Sequence, residues 1–66
     1  MKVLVPLAYG FEEIEAVTII DVLRRADIEV LMTSLNEDSL VKGANGITIQ
    51  TDFNIKDITT DSIDMV

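Results

Sequence analysis

Apolar positions change their spacing several times along the chain, and each change marks an element. Val3, Leu4, Val5 and Leu7 form a short continuous apolar run, the pattern of a strand buried on both faces in a parallel α/β sheet. The glycine-containing turn Ala8-Tyr9-Gly10-Phe11 leads into a segment compatible with a helix from Glu12 to Ala26. Glu12 and Glu13 stand in its first turn and Arg24 and Arg25 in its last, as the helix dipole favours. Ile28 to Thr33 predicts a second strand, so the first half of the chain reads as one βαβ unit, a right-handed crossover of about 30 residues.

Beyond residue 35 the apolar runs shorten. Asn36-Glu37-Asp38-Ser39 is a polar connection, Leu40-Val41 a short apolar pair, and Gly43-Ala44-Asn45-Gly46 turn chemistry ahead of Ile47 to Thr51, which alternates with period two. This predicts a small antiparallel excursion with one wet face. Asp52 to Asp61 is polar, with one helical turn expected near Lys56 to Ile58. Ser62 to Val66 reads as the start of another buried strand, and a strand that ends without a turn or cap is expected of a cut chain. There is no internal repeat and no linker, so residues 1–66 are read as the amino-terminal part of a single α/β domain.

A helical wheel sharpens the picture of the first helix. With Phe11 at zero and ~100° per residue, Val22, Ala26, Ile19, Leu23, Ala16 and Ile20 fall within roughly 160°. Glu15 falls at ~40°, inside this apolar arc. A buried carboxylate there must be paired, hydrogen-bonded or held neutral, which makes Glu15 the leading site candidate; the plainer reading is an acid that caps free backbone N–H groups near the helix start. Glu12 and Glu13 are read as surface acids that complement the dipole. On the opposite side Ile14 and Val17 lie among Glu13, Thr18, Asp21, Arg24 and Arg25. Two apolar side chains beside charges that can pair, Asp21 with Arg24 or Arg25, predict a homodimer interface formed by Ile14, Val17, Asp21 and Arg25.

Composition excludes several classes of function. The net charge is −7, with five basic residues scattered among twelve acids, which argues against nucleic-acid partners, since these require clustered Lys and Arg. The chain has no cysteine and no histidine; it offers no thiol nucleophile, and no metal site or cofactor is expected. Pro6 and the acids that follow spoil any signal peptide, and no apolar run approaches the ~18 residues of a membrane span. A cytoplasmic protein with no membrane partner is the expectation. Gly10 has no G-x-G-x-x-G or Gly-Lys-Ser/Thr context for phosphate binding. The end of the first strand, Pro6-Leu7-Ala8, lacks the acids of a receiver domain.

The stretch Val3 to Val17, with its Gly10-Phe11-Glu12-Glu13-Ile14-Glu15-Ala16-Val17-Thr18 string, and Ile20-Asp21-Val22-Leu23-Arg24-Arg25-Ala26 after it, resembles the amino-terminal region of the ThiJ/PfpI family, in particular the branch of the parkinsonism-associated protein deglycase and its bacterial relatives. The resemblance spans the chain and is most specific over residues 1 to 30. It implies a flavodoxin-like, doubly wound, mostly parallel sheet, of which the first βαβ unit and a small β excursion are present. It also implies that Glu15 hydrogen-bonds a reactive cysteine at a strand-to-helix turn, that Gly10 lines the same pocket, and that the full-length protein acts on small reactive carbonyls (glyoxalase- or deglycase-like) or senses oxidation. The Pro-Gly-Gly turn, the cysteine and any histidine partner that the family places later are outside these residues, so the remainder of the polypeptide is an implied partner. Asp27 stands where relatives usually have glycine and is expected to take the left-handed conformation at some cost. The alternative reading is a non-enzymatic acidic interaction or chaperone module that self-associates through the first helix.

Overall fold

The opening apolar run forms β1 (Lys2–Leu7), which pairs in parallel with β2 (Glu29–Ser34) along its whole length, Lys2 beside Glu29 and Leu7 beside Ser34. A computed structural model describes residues 1–59 and 63–66. Val3, Leu4, Leu7, Val30 and Leu31 are all buried, as the unbroken apolar pattern requires of strands covered on both faces. On the other side of β1, Met65 forms a parallel bridge to Val3, and the Leu4 N–H donates to the Met65 carbonyl at 2.7 Å. The strand expected at the chain's end therefore pairs with β1, although Met65 and Val66 are exposed rather than buried; Ser62, its expected first residue, lies outside the described residues.

Backbone parity explains how a proline fits inside a central strand. The Leu7 carbonyl accepts from Leu35 and the Met1 carbonyl from Glu29, whereas Leu4 and Lys2 bond toward Met65 and Asp64. Odd residues of β1 thus face β2 and even residues face the other neighbour. The missing N–H of Pro6 falls on the even side, so the ladder between β1 and β2 loses no bond.

Between the two strands runs α1 (Glu13–Arg25). The turn after it has Asp27 at φ 61°, the left-handed value expected there, with the Asp27 N–H donating to the Arg24 carbonyl at 3.1 Å. Arg24 reaches Asp52 at 3.3 Å, and Arg25 pairs with Asp21 at 3.0 Å along the helix.

Past β2, the buried Ser34 hydroxyl donates to the Asp38 carbonyl at 2.7 Å and accepts from the Asn36 N–H, folding the polar connection back on itself. The antiparallel excursion is present as β3 (Leu40–Lys42) paired with β4 (Thr48–Gln50), Val41 opposite Ile49. A two-residue strand, β5 (Phe53–Asn54), then adds to the edge of β2 in parallel, Thr33 beside Phe53. No periodicity reveals so short a strand; the pairing is made by the sheet edge. The expected helical turn is a 3₁₀ turn at Ile55–Asp57, capped by the Asn54 side chain, one residue earlier than its spacing predicts.

The burial of α1 corrects the wheel. Ile20 is buried and Ala16 and Leu23 are half-buried, but Glu15, Ile19, Val22 and Ala26 are exposed, and the fully covered acid is Glu13. The covered face is centred near Ile20, at one edge of the predicted arc. The wheel averages over every apolar residue on the helix, whereas the sheet in this chain covers only the strip through Ile20. Val17, Ile20, Asp21 and Arg24 flank a groove that Met32 and Ile49 complete. Met32 therefore marks the helix side of the sheet. Leu4, of opposite parity, lines an apolar depression on the far side with Ile55, Ile58, Ile63 and Met65.

Candidate functional site

Of the sequence-predicted site residues, Gly10 lies in the loop from Ala8 to Glu12 and Glu15 in the first turn of α1 that follows, and two backbone bonds fix the loop's path. The Gly10 N–H donates to the Lys42 carbonyl, and the Phe11 carbonyl accepts from the Ala44 N–H, each at 2.8 Å. Gly10 has φ +88°, a value that a side chain would strain. Loop 8–12 therefore lies against the β3–β4 hairpin, and Glu13 follows at once as the first residue of α1.

Glu13 completes this junction. In the hairpin turn, the Gly43 N–H donates to the Ile47 carbonyl at 2.8 Å, while the Gly43 carbonyl is taken by the Gly46 N–H at 3.2 Å, with Gly46 at φ +86°. A three-residue turn closed in this way leaves three N–H groups without ladder partners; that of the first turn residue, Ala44, goes to Phe11, which leaves those of the second turn residue and of the residue after the left-handed glycine. These are Asn45 and Ile47, and both donate to Glu13 Oε2, at 2.8 and 3.1 Å. The Asn45 side-chain amide donates to Oε1 at 2.9 Å. Glu13 is only 3% exposed. Burial pushes its carboxyl upward, but the hydrogen bonds from the Asn45 side chain, its own backbone and the backbones of Ile47 and Asn45 together prevail and hold it below the ordinary value of 4.5. Gly43 makes room for it: a Cβ there would stand 2.5 Å from both Cδ and Oε2 of Glu13.

A sequence model of the DJ-1/PfpI family matches residues 1–66. The chain belongs to the DJ-1/PfpI family. It is 40% identical over 65 residues to protein DJ-1 homolog B of Arabidopsis thaliana, covering 98% of this chain and 15% of the relative. Protein dj-1beta of Drosophila melanogaster is 40% identical over 63 residues, covering 96% of this chain and 34% of the relative. The chain thus spans between about a seventh and a third of the length of these curated relatives. Among solved structures, oxidised Toxoplasma gondii DJ-1 superposes with a TM-score of 0.82 at 47% identity, over 83% of this chain and 30% of that one. The VC2308 protein superposes with a TM-score of 0.92 at 31% identity, over 97% and 33%. The mixed α/β fold with its parallel sheet is therefore the flavodoxin-like fold of DJ-1 proteins.

Within this DJ-1/PfpI chain the three leading acids have separate surroundings. Glu12 precedes the helix and makes no side-chain cap. Glu13, expected on the solvated face, is the buried anchor. Glu15, expected in the core, stands exposed in the first turn of α1, on the open strip that holds Ile19 and Val22. The physical reason is the source of the donors: Glu13 meets N–H groups from 32 and 34 residues further on, which a wheel of one helix cannot contain, while nothing among the described residues covers the strip around Glu15.

The structure places Gly10 at the middle of loop 8–12. Ile14 and Val17 are 76% and 48% exposed, beside the Asp21–Arg25 ion pair. Sequence reasoning missed Glu13, Asn45 and the close approach at Gly43. The Asn45-Gly46 turn signal was legible, but its spare donors and their acceptor were not. Among the described residues no group of acids is arranged to hold a metal, and no helix is long and apolar enough to cross a membrane.

Proposed function

We propose that this chain is the amino-terminal part of a longer DJ-1/PfpI protein whose cysteine acts on small reactive carbonyls or registers oxidation, with Glu15 as the acid that hydrogen-bonds that cysteine and Gly10 in the wall of the same pocket. The observation that carries the reading is the placement of Glu15: an exposed acid on an otherwise apolar strip of α1, directly after the glycine loop at the carboxyl end of β1. In open α/β sheets ligands gather at the carboxyl ends of the strands. An acid on an apolar strip that further chain covers is desolvated, which favours its neutral, donating form, and a donated hydrogen bond stabilises a neighbouring thiolate. The chain has no cysteine, so the nucleophile comes from polypeptide outside these residues, and no cofactor enters the scheme.

Turnover of a small dicarbonyl by the full-length protein tests this. Glu15→Ala is expected to lower kcat by about 100-fold or more, as loss of a positioned proton donor does, and wild-type turnover in the variant would overturn the assignment. The exposed pair Ile14 and Val17, with Asp21 and Arg25 alongside, supports a homodimer formed through α1, the surface on which the non-enzymatic interaction reading also rests. Sedimentation of full-length Val17→Asp against wild type tests it: a monomer supports this surface, and an unchanged dimer removes it.

A further inference from the structure

The junction between loop 8–12 and the β3–β4 hairpin has a consequence for the reactive centre. We propose that Glu13 is a positioning residue: its buried carboxylate locks the hairpin turn, and the locked hairpin sets the backbone of Gly10 and, through α1, the direction of Glu15. The inference deepens the proposed function and rests on it.

Four features converge. The carboxylate accepts from Asn45 N, Asn45 Nδ2 and Ile47 N, so two of the turn's three leftover backbone donors are satisfied by one group from α1. Gly43 leaves it no slack, since any Cβ there would displace it. The hairpin it locks in turn holds the loop, through Lys42 O to Gly10 N and Ala44 N to Phe11 O. Finally, Glu13 is the first residue of α1 and Glu15 the third, so a rotation of the helix start that releases one carboxylate re-aims the other. Glu13 has no open path to a substrate, being almost fully covered; its influence passes through the loop.

The chemistry of the pair also forecasts which substitution is tolerated. Glu13→Gln keeps one oxygen for the two backbone donors, and its amide can donate to Asn45 if that side chain turns its oxygen inward. Glu13→Ala leaves the turn's donors unpaired.

The experiment is the pH dependence of alkylation of the nucleophilic cysteine in the full-length protein, which reports its thiolate. Glu13→Ala is expected to raise the alkylation midpoint by about one pH unit, in the same direction as Glu15→Ala, a tenfold change in thiolate stabilisation. Glu13→Gln is expected to restore most of it. A purely structural role would lower the melting temperature and leave the midpoint where it is; that result, beside a responsive Glu15→Ala, overturns the positioning role alone. A Glu15→Ala protein with an unmoved midpoint overturns the reading on which it rests. Should Glu13→Ala fail to fold, Asn45→Ala removes one donor of the three: a smaller rise supports the proposal, and an unchanged midpoint overturns it.

Discussion

Glu13 and Gly43 touch across the junction of α1 and the β3–β4 hairpin so closely that the carboxylate occupies the space a Cβ on Gly43 would fill, at 2.5 Å. The glycine is required here by proximity; the helix-capping and turn preferences of the two residues do not account for it. Gly43→Ala should therefore destabilise the full-length protein, and the double variant Gly43→Ala with Glu13→Ala should be less destabilised than the sum of the singles, because alanine at 13 vacates the contested space. Denaturant midpoints in a double-mutant cycle measure this. Additive effects would show that the two residues do not share the site.

A pH dependence follows from the same carboxylate. Its pKa in the folded protein lies below the ordinary 4.5, so the folded state binds fewer protons than the unfolded one in that range. The stabilisation is complete above 4.5 and declines as pH falls through the folded value. Hydrogen exchange at the Asn45 and Ile47 amides, corrected for intrinsic rates, should lose protection on acidification below 4.5 in wild type and show no such step in Glu13→Gln. A step of equal size in both would assign it to another acid.

The turn after α1 carries a side chain in a conformation that suits glycine. Asp27 at φ 61° bears a left-handed cost that glycine does not, while glycine adds entropy to the unfolded chain. Asp27→Gly should stabilise by roughly 0.5–1 kcal/mol, read as a raised denaturant midpoint with an unchanged slope. A lowered midpoint would show that the aspartate makes a compensating interaction.

The covered strip of α1 has its centre at Ile20, which is 6% exposed. Ile20→Ala should cost about 2–4 kcal/mol as a buried large-to-small change, measured by chemical denaturation of the full-length protein. A loss below about 1 kcal/mol would place the helix contact elsewhere.

Local patterns were enough to find what local physics determines. The run Val3 to Leu7 and the apolar residues from Ile28 declared paired buried strands, and the Gly43 to Gly46 turn chemistry declared a hairpin. The strained Asp27 was legible from the ending of one helix. The relation of α1 to the rest was not legible, because the groups that decide it are distant in sequence. The Asn45 and Ile47 donors choose Glu13 as the buried acid, and the sheet covers the strip of Ile20 while leaving Ile19 and Val22 open. β5 was invisible for a related reason: Phe53 and Asn54 are too few to show a period, and only the free edge of β2 makes them a strand. Glu15 was singled out by its place on an apolar strip, and that strip is open among the described residues.

The central claim is that Glu15 addresses a cysteine supplied by the rest of the polypeptide, and a high-resolution crystal structure of the full-length reduced protein tests it most directly. The account predicts Glu15 covered on the strip with Ile19 and Val22, its carboxyl oxygen within about 3.5 Å of the cysteine sulfur, a hydrogen-bond distance for that pair. A Glu15 side chain directed into solvent, with no cysteine near the end of β1, would contradict it.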